Sequence, residues 1–109
     1  MRRTLSILAF ALLAGTAQAN AESSPSSAAV IVPGCKDRES HDLKRGMCLG
    51  ATLTLMAARN ELHICPPAPK TTGQAIEIIV NYSDGHPEKL QDEFVEVALD
   101  ALHAAWPCR

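Results

Sequence analysis

The stretch that decides the fold is TTGQAIEIIVNYSDGHPE, residues 71–88. Within it, the run from Ala75 to Tyr82 is rich in β-branched residues and would also suit a strand. The residues in front of it argue for a helix. Thr71 and Gln74 stand at capping-box spacing: the threonine hydroxyl can take the Gln74 amide while the glutamine side chain reaches back. Ala75, Ile78, Ile79 and Tyr82 then share one helical face. Asp84-Gly85 reads as the stop, with Gly85 free to adopt the left-handed C′ conformation. Pro87 suits the first position of a following helix, and Glu88 favours the positive end of its dipole. The pattern therefore predicts helices over 72–83 and 88–105, joined by a short loop at 83–87.

A loop that short makes the two helices an antiparallel hairpin. Leu90, Phe94, Val97, Ala101 and Ala105 form the apolar stripe of the second helix. Asp92, Glu93, Glu96, Asp100 and His103 form its solvated face. Upstream, residues 47–62 predict another helix, with Cys48, Ala51, Leu55, Ala58 and Leu62 on one side. Leu49, Leu53 and Met56 make a second apolar stripe, as expected of a helix buried between neighbours. Arg59 is read as snorkelling past the helix edge. Pro66, Pro67 and Pro69 end the element. The charged stretch before it supports at most a short helix within 36–45. Residues 20–34 read as a flexible arm with a brief strand at Val30–Val32, stopped by Pro33-Gly34. The expected fold class is all-α: a small, disulfide-stapled helical bundle of three to four helices.

Residues 1–19 have the form of a cleavable signal peptide. Arg2 and Arg3 supply the positive start, Leu5–Leu13 the apolar run, and Ala17-Gln18-Ala19 the cleavage site before Asn20. The apolar run is too short to span a bilayer. Four cysteines remain in the exported part: Cys35, Cys48, Cys65 and Cys108. An even count in an exported chain reads as disulfides. The hairpin brings the end of the last helix beside the start of the one before it. That geometry pairs Cys65 with Cys108 and leaves Cys35 for Cys48.

With Arg2 and Arg3 removed, eight basic residues face twelve acidic ones, a net charge of −4. No basic face exists to neutralise nucleic-acid phosphates or an anionic membrane. His63 and Cys65 form the one close His/Cys pair, so no metal site is expected, and nothing in the pattern implies a cofactor. With every thiol oxidised, no thiolate nucleophile remains, so the chain is not expected to be an enzyme. His41, His63, His86 and His103 fall on loops or a polar face, with His86 as a cap or turn residue before Pro87. Trp106, beside Pro107, is read as closing one end of the core.

From Cys48 to Cys108 the chain resembles the Rap/Tai type of type VI secretion immunity proteins. The resemblance rests on Cys48-Leu49-Gly50, Cys65-Pro66-Pro67, Gly73-Gln74, Tyr82, His86-Pro87-Glu88 and Pro107-Cys108, in that order and spacing. Ala51 and Thr54 stand where the family usually has Tyr and Gly, and Pro33-Gly34 stands where its first helix would run into the first cysteine. The resemblance implies an immunity domain over 35–109, held in the periplasm. Its partner would be a protein toxin of the peptidoglycan amidase class, blocked by occlusion. Ser83, Asp84, Gly85, His86 and Glu88, a polar tip between two helices, are the expected contact. Self-association as a homodimer stays open. The alternative is a general periplasmic acid-stress chaperone of the small helical type.

Overall fold

A computed structural model describes residues 24–109; the expected signal peptide lies outside the described residues. Four α-helices and one short 3-10 turn make up the domain: α1 (Ala28–Lys36), α2 (Leu43–Ala57), α3 (Thr72–Gly85), the 3-10 turn Pro87–Lys89, and α4 (Phe94–Ala105). No strand occurs among the described residues; two isolated bridges, Ser27 with Glu93 and Ile64 with Pro107, tie the chain ends down.

α3 is a helix, and the capping box at its start is complete. The Gln74 amide donates to the Thr71 hydroxyl at 3.2 Å, and the Thr71 amide donates to the Gln74 side-chain oxygen at 2.9 Å. Its buried face carries Ala75, Ile76, Ile79 and Ser83. Gly85 corrects one expectation: it ends the helix without a positive φ, and the chain turns out at His86, with φ −132° and ψ 63°.

α1 is the largest departure from the sequence reading. Val30–Val32 is helical, and Pro33-Gly34 lies inside the helix rather than stopping it. The physical reason is burial. Ala28, Ile31, Val32 and Cys35 recur at helical spacing and are at most 3% exposed. Gly34 permits the contact with α2, because a side-chain carbon there would lie 2.5 Å from the Lys44 carbonyl carbon. Pro33 costs one intrahelical hydrogen bond, and packing outweighs that cost. The first helix thus does run into the first cysteine, and the folded domain begins before residue 35. No helix lies within 37–42; there the Asp37 carboxylate accepts from the amides of Glu39 and Ser40 in a turn.

α2 starts earlier than expected because Asp42 caps it, accepting from the Arg45 amide at 3.0 Å. It also ends earlier. Residues 58–63 are turns closed by His63 at φ 58°. Arg59 is exposed and donates to the Met56 carbonyl at 2.9 Å.

α4 begins at Phe94 rather than at 88, and Pro87 opens the 3-10 turn instead. The carbonyls of Leu90 and Asp92 are needed elsewhere. Leu90 and Asp92 accept from the amides of Ala29 and Ala28 at 2.8 and 2.9 Å, satisfying the open start of α1. The Phe94 amide donates in return to the Ser26 carbonyl at 2.8 Å, and the Ser26 hydroxyl donates to the Glu93 carboxylate.

The core is one cluster built on Phe94, Ile79, Leu102, Val97 and Ile64. Each fully buried side chain of this kind is worth roughly 1.5–3 kcal/mol. Cys35 joins Cys48 inside this cluster, and Cys65 joins Cys108 at the surface. Trp106 is buried at the same end as the second disulfide, its carbonyl accepting from the Cys65 amide at 2.9 Å. His103 is half-buried rather than solvated; its Nε2 donates to the Leu62 carbonyl at 2.7 Å and holds the 58–63 turns to α4.

Candidate interaction site

The polar tip forms where α3 ends and the 3-10 turn begins. Its frame is the Tyr82 ring. His86 stacks on it with ring centroids 4.0 Å apart and planes 20° from parallel. The His86 Nδ1–H donates to the Tyr82 carbonyl at 2.7 Å, which fixes the imidazole at the end of α3. Lys89 closes the other side. Its ammonium donates to the Tyr82 hydroxyl at 2.6 Å and to the Asp100 carboxylate at 3.2 Å, and it lies 5.1 Å from the ring centroid. The tyrosine hydroxyl, then the Asp100 carboxylate, raise the Lys89 pKa above the usual lysine value. Tyr82, His86, Lys89 and Asp100 therefore lock the α3 exit to α4 through ring stacking as well as hydrogen bonds.

The structure sorts the expected contact residues. Asp84, Gly85 and Glu88 are exposed, and His86 is half-buried with one ring face covered by Tyr82. Asp84 is ion-paired with Lys36 of α1 at 2.6 Å. Ser83 does not belong to the tip. It is 1% exposed, and its hydroxyl donates to the Ile79 carbonyl at 2.8 Å inside α3. Helical periodicity could have shown this, since Ser83 falls one turn after Ile79 on the buried face. Lys89 and Asp100 were missed as parts of the site because the sequence offers no sign that the 3-10 turn brings them to Tyr82.

Elsewhere the surface is shallow. A groove of about 330 Å³ lies between the start of α3 and the 37–42 turn, lined by Arg38, Arg45, Gln74 and Glu77. Arg38 and Glu77 face each other across it at 3.7 Å, and Arg45 is engaged by the Cys35 carbonyl at 2.9 Å. Among the described residues no cluster of three or more His, Cys, Asp or Glu could hold a metal ion, and no helix is long and apolar enough to cross a membrane.

No curated protein and no solved structure matches the chain. The family model described as Rap1a immunity proteins matches residues 27–108, which is α1 through the second disulfide. By that match over most of its length, the chain belongs to the Rap1a immunity protein family.

Proposed function

We propose that this protein is exported to the periplasm, where it binds a type VI secreted cell-wall toxin of the peptidoglycan amidase class and blocks its active site. Family membership over residues 27–108 is the observation that carries the reading. The architecture supports it. Cell-wall toxins act outside the cytoplasm, and an antidote that works there benefits from disulfides. Occlusion needs a surface that loses little entropy on binding. The tip at 84–88 has that property, held by Tyr82, Lys89 and the Lys36–Asp84 pair.

Occlusion in the periplasm makes a cellular test direct. Cells exposed to the toxin survive when they carry the full chain and die when residues 1–19 are deleted, although the shortened protein still binds the toxin in vitro. Equal protection by both forms would contradict the periplasmic site of action. Failure to bind any toxin, together with suppression of client aggregation at pH 2–3, would replace this reading with the chaperone one.

A further inference from the structure

The two disulfides sit in opposite surroundings. Cys35 and Cys48 join α1 to α2 at 2% and 0% exposure, inside the core cluster. A hollow of about 250 Å³ borders Cys35, but burial that deep keeps its sulfur out of reach of an incoming thiol. Gly34, resting on the Lys44 backbone, leaves no gap between the helices beside this pair. Reducing it therefore requires α1 and α2 to part.

Cys65 and Cys108 are both exposed, and neither belongs to a helix. Cys65 stands in the connection between α2 and α3, and Cys108 follows α4. Cys65 lines an open hollow of about 270 Å³, together with Pro67, Trp106 and Arg109. Arg109 gives the hollow a positive charge, which draws an approaching thiolate. The backbone holds Cys65 in place: its amide donates to the Trp106 carbonyl at 2.9 Å, and the adjacent residues Ile64 and Pro107 form a bridge. Cys65 is thus a fixed target on an open surface.

We propose that Cys65–Cys108 is a thiol-exchange site, where a dithiol reductant attacks Cys65 from this hollow and expels Cys108. One thiolate of the dithiol bonds to the Cys65 sulfur as the Cys65–Cys108 bond breaks. The electron pair leaves with the Cys108 sulfur, which takes up a proton in place of the one the attacking thiol gave up. The second thiol of the dithiol then closes on the first and releases Cys65 as a thiol. Two electrons have passed to the protein, and the dithiol has become a disulfide. Cys35–Cys48 still ties α1 to α2, whereas the residues around Trp106 lose their covalent tie to Cys65. The site does not involve the toxin, so it stands or falls separately from the proposed antidote role.

Brief exposure of the folded, oxidised chain without residues 1–19 to dithiothreitol, followed by alkylation and peptide mapping, tests the order. Cys65 and Cys108 should be labelled at least about tenfold faster than Cys35 and Cys48, because access limits exchange. In concentrated guanidinium chloride that order should vanish, since the fold supplies it. Glutathione has no second thiol of its own to finish the reaction. After a short exposure and an acid quench, it should be found on Cys65 rather than Cys108. Simultaneous loss of both disulfides, earlier loss of Cys35–Cys48, the same order in the unfolded chain, or glutathione on Cys108 overturns the proposal.

Discussion

Gly34 of α1 rests directly on the backbone of Lys44 in α2, with no room between them for a methyl group. The contact lies one residue before the Cys35–Cys48 disulfide, so the two helices meet by packing as well as by a covalent bond. Gly34→Ala should raise the intrinsic helix propensity of α1 and still destabilise the domain. Overpacking against backbone costs about 1–3 kcal/mol, against a propensity gain of about 1 kcal/mol. Urea denaturation of the oxidised protein measures the net effect. A Gly34→Ala protein more stable than wild type would show that α1 and α2 do not approach this closely.

The two disulfides should differ in weight. They close chain segments with separations of 13 and 43 residues. In the chain-entropy model these loops contribute about 3 and about 4 kcal/mol. Replacing Cys65 and Cys108 together by Ala should therefore cost more than replacing Cys35 and Cys48 by residues that keep the core filled. Thermal melts of the two double variants check the order.

Loss of the α3 cap should be felt across the domain. Thr71→Ala removes the acceptor for the Gln74 amide and is expected to cost about 1 kcal/mol. Thr71→Ser keeps the hydroxyl and should restore most of it. Equal stability of all three proteins would show that the capping box contributes nothing.

Asp42 ties the start of α2 to pH. The Arg45 amide, with help from Ser40 and Lys44, holds its carboxyl below the usual carboxylate range. A depressed pKa adds stability above the unfolded-state value and loses it as pH falls through the folded one. Asp42→Asn should melt below wild type at neutral pH and converge with it in strong acid. A gap that stays constant from neutral to acid pH would contradict the charge-assisted cap.

At α3 the fold was legible in the sequence because its signal was local and complete. Thr71 and Gln74 announce α3, and the hairpin argument from that helix leads to Cys65 and Cys108. What was not legible depends on distant segments. Pro33-Gly34 reads as a stop because nothing nearby says that Gly34 will lie on Lys44. The late start of α4 follows from Leu90 and Asp92 serving the amides of Ala29 and Ala28, far away in the chain. At the tip the same division holds. Asp84, His86 and Glu88 were readable as a polar turn, whereas Ser83 was misplaced by the assumed loop boundary. The Lys89–Asp100 side of the lock needed the 3-10 turn to be seen.

The tip should tolerate substitution structurally while losing affinity for the toxin. Asp84→Arg removes an exposed ion pair with Lys36, worth at most about 1 kcal/mol, and places a positive charge on the proposed contact surface. His86→Ala removes the ring stacked on Tyr82 and leaves the core untouched. Both variants should keep the wild-type circular dichroism spectrum and weaken toxin binding. Unchanged affinity in both would exclude 84–88 as the contact.

The most direct test of immunity by occlusion is calorimetric titration of the disulfide-bonded protein, without residues 1–19, into a purified type VI secreted peptidoglycan amidase, the class of toxin proposed as its partner. Peptidoglycan cleavage is followed in the same samples. The account predicts saturable binding at a fixed stoichiometry, with hydrolysis falling in proportion to the fraction bound. Tight binding with undiminished hydrolysis, or no binding to a hydrolase that kills unprotected cells from the periplasm, would contradict it.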